Sequence, residues 1–89
     1  MPGRTDMRHS ILIVSASEQF DAVVRKSLKG YIMVDSGKSV AAARRSVLER
    51  YYDLVVINFP MPDEAGEQFA LDITEQYRAS VLLVVPAEI

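Results

Sequence analysis

The sequence has no cysteine, which excludes a disulfide framework, a thiolate zinc site and a thiol nucleophile together. Its single histidine, His9, has no second histidine or spaced carboxylates beside it, so it cannot assemble a metal site. No serine has an evident base partner for nucleophilic catalysis. Long apolar runs are missing as well. The longest aliphatic stretch, 81–85, is far too short to span a bilayer, and no apolar segment follows the basic residues near the N-terminus as a secretory signal requires. A cytoplasmic location, without membrane contact, is the expectation. Nor do aromatic and basic residues interleave in the manner of RNA-binding sheets.

What is present fits one ordinary globular domain: 89 residues, 49% of them apolar and 25% charged. A chain this short buries a modest share of its surface and holds little stability in reserve. The formal net charge of −2 hides a polarity along the chain. Residues 25–50 carry seven Lys or Arg against Asp35 and Glu49, a balance of +5, while 53–89 carry seven acids against Arg78, a balance of −6. Solvated helix faces of different sign account for this at the simplest level; self-association of opposite faces, or docking to a charged partner, is the functional alternative.

Periodicity divides the chain into alternating elements. Residues 1–9 are polar and aperiodic, a flexible tail. Residues 10–14 form a continuous β-branched and aliphatic run, the mark of a strand buried on both faces. Ser17 is a candidate N-cap for a helix with Phe20, Val23, Val24 and Leu28 at helical spacing, stopped by Lys29-Gly30. A second strand is expected over 31–35, ended by Ser36-Gly37, and a second helix over 39–51, with Arg44, Arg45 and Arg50 on its polar side. The third strand is 54–58. Two prolines make 60–63 a loop. The third helix covers 65–77, with Phe69, Ile73 and Tyr77 stacked, and a fourth strand covers 80–85 before Pro86. Phe20, Phe69 and Tyr77 are expected in the core, and Tyr51-Tyr52 at a helix end. Apolar strands linked by helices, βαβαβαβ, imply a parallel α/β sheet with helices on both faces.

The segment Asp53-Leu54-Val55-Val56-Ile57-Asn58 followed by Met61-Pro62 and Gly66 resembles the phosphoacceptor segment of response-regulator receiver domains, and the resemblance covers 11–87. It implies a flavodoxin-like sheet of order 2-1-3-4, with 10–89 a partial receiver-like domain lacking a fifth strand and two last helices. In that family an Asp at the position of Asn58 accepts a phosphoryl group. An acidic pair that holds Mg²⁺ corresponds to Ser15 and Ala16, and a Thr or Ser corresponds to Pro86. Each of these positions has lost its chemistry, and Glu18, the nearby acid, is one carboxylate where Mg²⁺ needs more. The resemblance therefore implies a pseudo-receiver: not an enzyme, without cofactor or metal, independent of phosphorylation and acting through protein contacts. It would form the N-terminal part of a transcriptional or antitermination regulator, with any nucleic-acid contact made by a domain beyond Ile89.

Two other readings stand beside it. Ser15, Ser17 and Asn58 would line a crevice for a small ligand or nucleotide at the ends of strands one and three. Gly37-Lys38-Ser39 has part of a phosphate-loop pattern, but the further glycine it needs falls at Ile32. Lys38, Arg44, Arg45 and Arg50 would make a basic nucleic-acid surface, against the acidic balance of the whole. Finally, the fourth strand is apolar on both faces with few helices to cover it. A homo-oligomer, a dimer or larger, is expected through that strand.

Overall fold

The computed structural model describes residues 10–28, 33–63 and 66–85. Four strands alternate with three helices: β1 (Ser10–Val14), α1 (Glu18–Ser27), β2 (Met33–Gly37), α2 (Val40–Glu49), β3 (Leu54–Asn58), α3 (Gly66–Gln76) and β4 (Ser80–Val84). The strands pair in parallel in the order β2-β1-β3-β4, the flavodoxin-like order expected above.

Handedness decides where each helix lies. The first crossover moves from β1 to one side, and the next two move back past it, so right-handed connections place α1 on one face and α2 and α3 on the other. Side chains alternate along each strand to serve both faces. Ile11, Ile13 and Val56 meet Phe20, Val24 and Leu28 from the α1 side. Leu12, Val14, Val55 and Ile57 are closed over by Val40, Ala43, Phe69 and Ile73 from α2 and α3. Phe69 is fully buried, whereas Phe20 and Tyr77 are partly buried at the margins of the two clusters.

Local signals set the helix starts. The Ser17 hydroxyl accepts the Phe20 N–H at 3.1 Å, with Glu18 and Asp21 in the first turn of α1 and Arg25 and Lys26 in its last, as the helix dipole favours. Ser39 caps α2 by accepting the Ala42 N–H at 3.1 Å. At the other end of the sheet Asp53 ties three strands. Its carboxylate accepts the Ser10 N–H at 2.9 Å, its own N–H donates to the Ser10 carbonyl at 2.8 Å, and its carbonyl accepts the Ser80 N–H at 3.1 Å.

Several element limits differ from the sequence expectation, among them the end of α3 at Gln76 rather than Tyr77 and the start of α2 at Val40, with Ser39 as its cap. Ser36 and Gly37 belong to β2 rather than ending it, because the Gly37 carbonyl accepts the Ser15 N–H at 3.0 Å and so prolongs the pairing with the β1 side. An added Cβ at Gly37 would lie 3.3 Å from the Ala43 nitrogen, so α2 packs on this glycine at close range. The second helix stops at Glu49: Arg50 is extended, with φ −156° and ψ 157°. That extension lets Tyr52 fold back into the core, where its hydroxyl donates to Asp35 at 2.6 Å, instead of ending a helix. β4 ends at Val84. The tail 1–9, the stop at Lys29 and Gly30, Tyr31, Ile32, Ala65 and Pro86 lie outside the described residues.

Arg78, just past α3, holds φ at 58°, a left-handed conformation in which any Cβ is strained and glycine is not. Arg78→Gly is therefore expected to raise the unfolding free energy by about 1 kcal/mol, read as a higher urea midpoint at unchanged slope. A midpoint at or below that of the parent would show that the arginine side chain offsets the strain.

Beyond α3, β4 is poorly covered. Leu82 is 52% exposed and Leu83 40%, with Val85 just beyond the strand 60% exposed, so both faces of this edge strand present apolar side chains, as its sequence suggests.

Candidate functional site

The carboxyl ends of the parallel strands form one edge, and there the sheet brings Ser15 and Asn58 together. Ser15 follows β1 directly and is buried; Asn58 is the last residue of β3. Both lie on the α1 side, in register with the alternation of Ile11, Ile13, Leu54 and Val56. The Asn58 amide Nδ2 donates to Ser15 Oγ at 3.1 Å. The Ser17 N–H donates to the same oxygen at 3.0 Å, and the Ser15 hydroxyl donates to the Ser17 carbonyl at 3.3 Å. A hydroxyl has one proton and two lone pairs. All three are used, so Ser15 is committed to the protein itself. Ala16 adds only a methyl group at an exposed position.

The neighbouring acids are committed too. Glu18 pairs with Lys38 at 3.1 Å. Asp63, in the loop after β3, places one carboxylate oxygen 3.0 Å from the Val40 N–H and the other 3.0 Å from the Ala41 N–H. With Ser39 on the Ala42 N–H and the Ser39 carbonyl accepting the Ala43 N–H at 3.1 Å, the donors of the first turn of α2 are all engaged. The anion site that Gly37-Lys38-Ser39 suggested is thus filled by the chain's own carboxylate, while Lys38 is turned to Glu18. A nucleotide would have to displace both. Among the described residues no three His, Cys, Asp or Glu side chains gather as a metal site needs. A divalent hard cation draws on charged oxygens, and Ser15, Ala16 and Asn58 offer a saturated hydroxyl, a methyl and a neutral amide. The residues at this edge do not fit one.

The loop residues have structural work. Met61 is buried in the larger cluster. Gly66 opens α3 so close to the Phe59 ring that an added Cβ would sit 3.0 Å from it, and the Phe59 N–H donates to the Val84 carbonyl at 2.8 Å, tying the loop to β4. Pro62 is exposed. Pro86, expected at the same edge, lies outside the described residues. Three of the four basic side chains named from the sequence form ion pairs within the molecule. Arg44 pairs with Asp72 at 2.9 Å and lies 5.2 Å over the Phe69 ring; Arg50 pairs with Asp35 at 3.6 Å; Lys38 is on Glu18. Hydrogen bonds from Arg44 and Gln68 hold the Asp72 carboxyl below its ordinary pKa. Asp63 has no role in the sequence reading. Its partners are 22 and 23 residues away, and no local pattern announces such a contact.

Solved structures that superpose on this chain are response-regulator receiver domains. MaeR, a response regulator bound to beryllium trifluoride, matches with a TM-score of 0.82 at 22% identity, over 91% of this chain and 70% of its own. The receiver domain of an HD domain-containing protein from Pseudomonas fluorescens Pf-5 matches with a TM-score of 0.82 at 21% identity, over 92% of this chain and 62% of its own. The response regulator TrrA from Thermotoga maritima, in complex with Mg²⁺ and BeF, matches with a TM-score of 0.80 at 23% identity, over 90% of this chain and 71% of its own. No protein-family model and no curated sequence matches the chain. The chain has the receiver fold, and it spans 62–71% of the length of these three neighbours. Among the described residues no helix is long and apolar enough to cross a membrane.

Proposed function

We propose that this chain is a phosphorylation-independent receiver-type signalling module, a pseudo-receiver that acts through protein contacts as the N-terminal part of a longer transcriptional or antitermination regulator. One observation carries the reading: the Asn58 amide is hydrogen-bonded to a saturated Ser15 hydroxyl at the edge where the fold would need carboxylates. TrrA, with the same fold, was solved with Mg²⁺ and BeF. Phosphoryl transfer to a side chain needs a nucleophile and positive charge to offset the charge in transit. An amide is no nucleophile, and the neutral groups beside it give a metal no anchor. What the fold retains is its surface, and β4 exposes Leu82 and Leu83 there, with Val85 just beyond the strand. Self-association through this strand belongs to the reading.

Incubation with acetyl phosphate and Mg²⁺ is expected to leave the intact mass unchanged. A hydroxylamine-labile phosphoryl adduct would overturn the proposal. Asn58→Asp alone is expected to remain inert, because Ser15 and Ala16 still supply no charge for a metal.

A further inference from the structure

α2 and α3 lie side by side over the sheet and leave a cleft between them, on the face opposite Ser15 and Asn58. Along α2, Arg44, Val47 and Leu48 recur at three- and four-residue spacing, and Phe69, Asp72, Ile73 and Gln76 do the same along α3, so one stripe faces the other. The Arg44–Asp72 ion pair, 2.9 Å, bridges the helices at one turn. One turn further on, Leu48 and Gln76 take the places of those charges, and beyond them α2 has ended at Glu49. Between the bridge and the helix end lies a cleft of about 160 Å³.

Its interior is apolar. Phe69 and Ile73, both buried, make the floor, and Val47 and Tyr77, partly buried, make the sides. A cavity of about 150 Å³ lined by Leu, Ile and Phe takes up benzene, so this cleft has room for one ring. Replacing its water with apolar surface is favourable, and Leu48, 74% exposed at the mouth, buries more of itself by closing on an occupant. Charge at the mouth is already matched, because Arg44 is paired with Asp72 and lies over the Phe69 ring. A charged ligand therefore meets no opposite charge in need of a partner. Two polar groups remain, the Tyr77 hydroxyl and the Gln76 amide, and neither has a hydrogen-bonding partner among the described residues.

We infer that the α2/α3 cleft is a binding site for a small uncharged aromatic molecule of the phenol class. The ring lies against Phe69, Val47 and Ile73, Leu48 closes over it, and its hydroxyl accepts the Tyr77 proton at the rim, where Gln76 stands beside it. The site is on the other face of the sheet from the Ser15–Asn58 edge, so it does not depend on the pseudo-receiver reading.

Titration of p-cresol at neutral pH into the full 89-residue chain, labelled in its methyl groups and followed by NMR, tests this directly. Saturable shifts are expected for the methyls of Val47, Leu48 and Ile73, with a Kd on the order of 1 mM, as suits a fragment of that size. Toluene, which lacks the hydroxyl, is expected to bind about fivefold more weakly. Tyr77→Phe is expected to weaken p-cresol by a similar factor and to leave toluene unchanged, which a merely structural role for the hydroxyl would not produce. Leu48→Ala is expected to weaken both ligands by about threefold. One substitution removes an unpartnered hydroxyl and the other trims an exposed side chain, and circular dichroism verifies that each variant folds. Shifts that do not saturate, that spread equally to Val24 and Leu28 on the α1 side, or that survive both substitutions unchanged would overturn the inference. Benzoate binding more tightly than p-cresol would overturn it as well, because the site would then be selecting charge.

Discussion

Replacing Phe69 with alanine is expected to remove about 3–5 kcal/mol of stability, most of what a domain of this size possesses. Phe69 is fully buried at the centre of the larger cluster, where α3 meets β3 and the underside of α2. Truncation there removes the apolar transfer energy of the ring and leaves a cavity that the fixed strands below cannot fill. It also takes away the surface on which Arg44 lies while pairing with Asp72, so the contact between α2 and α3 loosens with it. Urea denaturation followed by circular dichroism measures the change. A partly folded baseline in the absence of denaturant is the expected appearance, with Phe69→Leu well above it. Equal losses for the two substitutions would mean that cavity volume is not what governs this site.

At alkaline pH the stability should fall through one identifiable group. Burial, together with the hydrogen bond to Asp35 and the negative charge of that carboxylate, pushes the Tyr52 hydroxyl up from 10.0 to about 12. The folded state thus holds this proton more tightly than the unfolded chain does. The stabilisation is fully present below pH 10 and is lost as pH rises toward 12. A shift of this size corresponds to about 2–3 kcal/mol. Tyr52→Phe lacks both the bond and the titration. It is expected to be weaker than the parent by about 1.5–3 kcal/mol near neutrality, with the difference closing as the pH approaches 12. Urea midpoints of the two proteins across pH 8 to 12 read both effects at once, and a gap that stays constant would show that Tyr52 is not the titrating group.

How much of this molecule is legible in its sequence depends on the range of the forces involved. The strand Leu54–Asn58 and the helix Gly66–Gln76 follow from composition and periodicity over neighbouring residues. Ser17 and Ser39 act as caps because their partners are three residues away. The meeting of Ser15 and Asn58 follows from parallel strand order, which is why both could be assigned to one edge in advance. The Asp63 carboxylate on α2 and the Tyr52–Asp35 bond could not, because each joins residues at least 17 apart, where only the assembled fold sets the geometry. The end of α2 at Glu49 departs from the local pattern for the same reason. Arg50 and Tyr51 continue a helical pattern locally, but burying Tyr52 is the stronger demand.

The strand order carries a consequence for how the chain folds. β1 is flanked by β2 and β3, and its bonds to β3 join residues 43 apart, as in the Ser15–Asn58 contact. No two strands are joined by a hairpin, so every pairing waits on the closure of a loop that contains a helix. Local turns of helix can form in microseconds, yet they gain nothing lasting until β3 has docked on β1 and given both faces something to cover. As the chain leaves the ribosome, β1 and β2 must remain half-paired until residues 54–58 emerge. Over that interval the apolar run Ile11, Leu12, Ile13 and Val14, later the best-buried strand in the molecule, is the segment most exposed to misassembly.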